Sequence, residues 1–232
     1  MRRYASPVRV RVLVYNVKGF RHGVDRVAAA VARHAPDLAF IQECGSSRRL
    51  RNFSHAMGMD AASTSLWPLL RQVRNAVLVR PPWRVVSWRL HQLDRSQRFY
   101  PRGALIAVVG RSGYRVSGFS VHLGLTPGER IRHARELTDL ASAVREPVLI
   151  GGDLNENPDR RAATWVADRF WDAWATAGTG KGETFPSTDP TARIDYLFAS
   201  EHFDIKAAGV LRTSETREAS DHLPLFVDLE LE

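Results

Sequence analysis

The sequence predicts an α/β (or α+β) fold, with helices outside packed sheets. Three observations carry that expectation. Apolar runs of strand length recur from about residue 8 to residue 231, and two segments keep apolar residues at helical spacing. No linker, low-complexity tract or short-period repeat divides the chain, so residues 1–232 read as a single domain. With 232 residues and 44% hydrophobic content, the chain can bury a sizeable core.

The elements follow in order. Residues 8–15 alternate apolar and basic side chains, as a half-buried strand does, and Val24, Val27, Ala28, Val31 and Ala32 mark one face of a helix. Residues 38–41 form a short apolar strand, and 46–57 are expected to be helical. Residues 75–79, 85–90, 104–109 and 115–121 read as successive strands, with turns at Pro81-Pro82 and Ser112-Gly113. The clearest helix spans 127–144, where Ile131, Ala134, Leu137, Ala141 and Val144 make an apolar stripe. Thr126 is its expected N-cap, with Pro127 at the first position. A strand at 148–150, a helix at 160–169 and a surface loop rich in Gly, Thr and Pro at 178–190 come next. Strands at 194–199, 205–211 and 225–231 close the chain.

A lone cysteine, Cys44, forbids an intramolecular disulfide and reads as a small buried residue. Residues 1–7 are charged, with no apolar stretch of signal-peptide length, and no run is long enough to span a bilayer. A cytoplasmic monomer is therefore expected. The net charge of +8 and pI near 10.3 invite a polyanionic partner, with nucleic acid the first candidate. Lysine occurs only at Lys18, Lys181 and Lys206, and such an arginine skew is what a GC-rich coding genome produces by itself. The densest clusters are Arg48, Arg49 and Arg51, then Arg130, Arg132 and Arg135.

Carboxylates at strand ends carry the chemical information. Glu43 follows Leu38-Ala39-Phe40-Ile41, and Asp153 follows Val148-Leu149-Ile150. Asp195 lies in Arg193-Ile194-Asp195-Tyr196, and Asp221 in Ser220-Asp221-His222. A single aspartate after a strand is most often a helix N-cap or turn residue. Four acids converging at strand ends would repel one another without a cation among them. An oxygen-rich set favours magnesium, manganese or calcium over zinc and points to phosphate chemistry.

An ordered series of motifs completes the picture. It runs Tyr15-Asn16, Gln42-Glu43, Arg74-Asn75-Ala76-Val77-Leu78, Arg102-Gly103-Ala104-Leu105, Ser120-Val121-His122-Leu123 and Gly152-Asp153-Leu154-Asn155. Thr184-Phe185-Pro186, Arg193-Ile194-Asp195-Tyr196 and Ser220-Asp221-His222 follow. In order and spacing the series resembles the endonuclease/exonuclease/phosphatase superfamily of metal-dependent phosphoesterases over nearly the whole chain. The resemblance implies a four-layer α-β-β-α sandwich of two packed mixed β-sheets with its site at one end.

It also implies roles. Glu43, supported by Asn16 and with Asp221 on the same side, would hold Mg2+ or Mn2+. Asp153 would orient or deprotonate water, and Asn155 would donate to the phosphoryl group. His222 would touch the scissile phosphate with Asp195 behind it, and His122 would lie near the leaving group. Asn75 and Arg102 are candidate phosphate contacts, whereas His91, His133 and His202 are given no catalytic part. Arg74 and His133 stand where relatives commonly carry glycine and glutamine. Thr191 and Ala192 replace the tryptophan that abasic-site endonucleases place before the Arg-Ile-Asp, which weakens that reading. A nuclease on DNA or RNA is expected first, and a phosphodiesterase or phosphatase for a small molecule or lipid headgroup second. A lipid enzyme would need an exposed apolar element, to which Trp67, Trp83 and Trp88 could contribute.

Overall fold

A computed structural model describes residues 7–63, 73–94 and 101–232. One sheet is built from β1 (Val8–Asn16), β2 (Leu38–Gln42), β3 (Asp60–Ser63), β4 (Ala76–Val79), β11 (Phe203–Val210) and β12 (Leu225–Leu231), in the order β11-β12-β1-β2-β4-β3. The other holds β5 (Arg84–Gln92), β6 (Gly103–Arg111), β7 (Tyr114–His122), β8 (Val148–Asp153), β9 (Trp171–Asp172) and β10 (Asp195–Ala199), in the order β5-β6-β7-β8-β10-β9. Each sheet is mixed, with one parallel pair, β1 with β2 and β7 with β8, among antiparallel neighbours. The helices are α1 (Val24–Ala32), α2 (Ser47–Ala56), α3 (Pro127–Ser142), α4 (Arg161–Ala167), α5 (Ala173–Ala177) and α6 (Ser214–Ala219).

Side-chain alternation produces the layers. Along β1, Val10, Val12 and Val14 face the second sheet, where they meet Leu105, Ala107, Leu149 and Leu197. Leu13 and Tyr15 point the other way and pack with Val27, Val31, Leu50 and Phe53 beneath α1 and α2. The second sheet mirrors this, with Phe119, Val121 and Ile150 under Ala134, Leu137 and Val166 of α3 and α4. The result is the α-β-β-α sandwich. Burial on both faces explains why the central strands read as near-continuous apolar runs.

Between the sheets, Phe40 fills a space that two glycines leave. A Cβ on Gly118 would stand 2.9 Å from its ring, and one on Gly151 2.8 Å. Polar ties also cross the gap. Gln42 Nε2 donates to Ser120 Oγ at 3.1 Å, and Asn75, just before β4 of the first sheet, donates to the Gly103 and Ser120 carbonyls of the second.

Several expectations are corrected here. The helix at α3 ends at Ser142 and not at Val144, although Thr126 caps it as expected, in a capping box with Glu129. The strand at β8 runs on through Gly151 and Gly152 to Asp153. Residues 178–190 contain no helix or strand, yet Thr184 and Ser187 are buried, so this is not wholly a surface loop. Trp83 is a core residue, Trp88 is half exposed on β5, and Trp67 lies outside the described residues. Cys44 is buried, and burial pushes its thiol up to about 12. No helix among the described residues is long and apolar enough to cross a membrane.

Candidate active site

The strand register gathers the candidate residues at one end of the sandwich. Asp153, the last residue of β8, pairs with His122 at the end of β7 and with Asp195 at the start of β10. Asn16 and Gln42 end β1 and β2 side by side in the facing sheet. Three strand ends of one sheet therefore meet two of the other.

Asp153 is the centre, 1% exposed. Its Oδ2 accepts from Asn16 Nδ2 at 3.1 Å and lies 3.4 Å from His122 Nε2 and 3.8 Å from His222 Nε2. Its Oδ1 accepts the Asn155 backbone N–H at 2.8 Å. This turn needs Asn155 at φ 53, a left-handed conformation that asparagine tolerates better than most residues. The Asn155 amide Nδ2 donates to the Leu123 carbonyl at 3.1 Å, leaving a second N–H for another acceptor.

The two histidines are held in opposite protonation states. His222 Nδ1 lies 2.8 Å from Asp195 Oδ2. Burial alone would lower its pKa, but the charge and hydrogen bond of Asp195, with Asp153 and Asp221 nearby, override this and raise it to about 10. Asp195 Oδ1 is buried with no hydrogen-bond partner among the described residues, so His222 is the cation of that carboxylate. His122 is lowered to about 3, chiefly by burial, with Asp153 opposing and Arg102 and His222 assisting. Arg102 donates to His122 Nε2 at 2.7 Å, which leaves the ring proton on Nδ1. At neutral pH His222 is an imidazolium and His122 is neutral.

Asp153, Asp195 and His222 each offer a ligand atom within 4.8 Å of the others. Glu43 joins them through Asn16, whose Nδ2 also donates to Glu43 Oε1 at 3.3 Å. Glu43 is half-buried at φ 51, an unusual conformation for a glutamate, and has no ion-pair partner among the described residues. The Asn16 amide oxygen is turned instead to the Lys18 N–H at 3.1 Å. Asp221 lies beside the group and pairs with Lys18 Nζ at 2.8 Å. A set in which carboxylates outnumber the one histidine, with an uncompensated glutamate beside it, suits a hard divalent cation, so the residues present fit the metal that the sequence implied.

Asn75 is placed differently from expectation. Asn75 is buried and spends its amide hydrogens on two carbonyls, so it has no donor left for a phosphate. His91 and His133 bind Glu136 and the Gly124 N–H, and His202 lies against Ser200, all outside the cluster. Sequence reasoning gave no role to Lys18, a rare lysine two residues after Asn16. It also gave none to Phe185, whose ring packs 4.9 Å from that of His222. Thr184 anchors this segment, with its hydroxyl accepting from the Asp195 N–H and its carbonyl from the Leu223 N–H.

The chain is an α-β-β-α sandwich with carboxylates and histidines gathered at one end. The model of the Endonuclease/Exonuclease/phosphatase family matches residues 13–222, and the chain belongs to that family of phosphoester hydrolases. Among solved structures, an endonuclease/exonuclease/phosphatase family protein of Bacteroides thetaiotaomicron aligns over 98% of this chain and 100% of its own, at 20% identity and a TM-score of 0.85. A mannosyl-6-phosphatase from the same species aligns over 95% and 99%, at 20% identity and a TM-score of 0.80. Truncated TDP2 of Caenorhabditis elegans aligns over 95% and 97%, at 22% identity and 0.76. At these identities the structures show the shared fold. No curated protein matches by sequence.

Proposed function

We propose that this protein is a divalent-metal-dependent phosphodiesterase that cleaves nucleic acid by in-line attack of water. The observation that carries the reading is Asp153, a buried carboxylate set among Asn16, a neutral His122 and a charged His222. Paired groups pushed to opposite protonation states mark acid and base roles. Asp153 takes the proton of the attacking water as the new O–P bond forms and the opposite P–O bond breaks, and the leaving oxygen takes its proton from solvent. His222, fixed at Nδ1 by Asp195, turns its Nε2–H to a phosphoryl oxygen, and the free N–H of Asn155 does the same. Burial, assisted by Arg102, keeps His122 neutral, so that ring serves as a fixed dipole near the departing oxygen. Glu43 would hold a divalent ion, which would supply positive charge to the site when bound.

The charge distribution favours a polyanion. Many arginines are neutralised locally, as in Arg9 with Glu230, Arg11 with Asp228, Arg130 with Glu156 and Arg193 with Asp172. Helix α2 carries Arg48, Arg49 and Arg51 and no carboxylate, directly after the Glu43 turn. The purified protein, assayed with Mg2+ or Mn2+ against plasmid DNA, single strands, RNA and a chromogenic diester, should turn over nucleic acid and stop on chelation. Turnover that survives exhaustive chelation removes the mechanism. Turnover of the small diester alone removes the substrate.

A further inference from the structure

The chain leaves β1 through a left-handed turn in which Lys18, Gly19 and Phe20 have φ of 44, 65 and 55. Two of the three carry side chains, and such residues seldom adopt this conformation. The surroundings impose it. The Lys18 N–H is held by the Asn16 side chain, Gly19 N donates to the Glu43 carbonyl at 2.7 Å, and Arg49 reaches the Gly19 carbonyl at 2.8 Å. Gly45 packs so closely that a Cβ there would stand 3.0 Å from the same carbonyl. The turn sends the Lys18 ammonium back toward the site, where Nζ meets Asp221 Oδ2 at 2.8 Å.

Asp221 is itself fixed in place. Its carbonyl accepts the Ser187 N–H at 2.7 Å, and the preceding Ser220 hydroxyl donates to the Asn16 carbonyl at 2.8 Å. The pair is about one-third exposed, with 33% and 32% of the two side chains accessible, so solvent screens but does not separate it. The two outer carboxylates are therefore unequal. Asp221 has a tethered cation and Glu43 has no ion-pair partner among the described residues. A divalent ion bound at Asp221 would first have to displace the ammonium.

Building on the phosphoesterase reading, we propose that Lys18 is the resident counter-cation of Asp221, keeping metal off that carboxylate so that the centre takes a single divalent ion at Glu43. A lysine supplies fixed charge but does not activate water, so water activation is left to Asp153. Asp221 then acts through Lys18 and not as a ligand.

The test counts bound ions on the folded full chain by the electron paramagnetic resonance of free Mn2+, with a thermal melt confirming that each variant is folded. The parent should bind one ion, and Asp221→Asn should still bind one. Lys18→Met, which bares the Asp221 carboxylate, should bind two, Lys18→Arg should bind one, and adding Asp221→Asn to Lys18→Met should restore one. Two ions on the parent, loss of the ion in Asp221→Asn, or a single ion on Lys18→Met overturns the inference and leaves the phosphoesterase reading standing. A folded parent that binds no Mn2+ overturns both.

Discussion

His222 spans two carboxylates that face each other across neighbouring strands: its Nδ1 lies 2.8 Å from Asp195 and its Nε2 3.8 Å from Asp153. Asp195 and Asp153 are register partners of β10 and β8, so their spacing is set by the sheet. Asp195 engages the imidazolium, and Asp153 keeps an oxygen for water. Replacing Asp153 with Asn removes the base and preserves the shape, so kcat should fall at least about a hundredfold with KM little changed. Steady-state kinetics on a diester decide it, and near-normal turnover would withdraw Asp153 as the base.

The two histidines should leave opposite marks on stability. His222 is raised from 6.5 to about 10 in the folded chain, so its contribution is complete below about pH 6.5 and is lost as pH rises through about 10. His122 is lowered to about 3, so its contribution is complete above 6.5 and is lost as pH falls toward 3. Denaturant titrations of the metal-free protein should show the gap between parent and His222→Gln closing between pH 6.5 and 10. In Asp195→Asn the imidazole should titrate well below its parent value by NMR, and an unchanged titration would remove Asp195 as its partner.

Phe40 sets a packing test. Gly151→Ala places a methyl where a Cβ would lie 2.8 Å from the ring, so stability should fall by about 1–3 kcal/mol. Combining it with Phe40→Leu should recover part of the loss. A strictly additive double variant would show that the ring and the glycine do not share the space.

The arginines of α2 give a substrate test. Changing Arg48 and Arg51 to Ser should raise KM for DNA or RNA, spare a small diester, and lower the salt dependence of binding by about one unit of slope per lost contact. Equal losses on both substrates would point to disturbed folding.

What the sequence made legible follows the length of each signal. The alternation in residues 225–231 locates β12 to the residue, and the Thr126-Pro127 start locates α3, because both patterns persist for several turns or pleats. Strand β9, with two residues, and helix α5, with five, are too short for any period to emerge. Thr184 and Ser187 carry a loop's composition, and only the fold shows them buried beside Asp195 and Asp221. The carboxylates could be placed at strand ends because apolar runs stop there. The pairing of Lys18 with Asp221 could not, since it depends on β12 lying beside β1, a contact between opposite ends of the chain.

The ties from Gln42 and Asn75 to the Ser120 region stand at the end of the sandwich where the chemistry is assembled. Asn16 and Glu43 belong to one slab and Asp153, His122 and Asp195 to the other, so the reacting geometry is the alignment of two plates along a seam. These polar pins act as dowels. Cutting them, as in Ser120→Ala with Asn75→Ala, should let the plates creep by a fraction of an ångström and cost turnover out of proportion to the change in melting temperature.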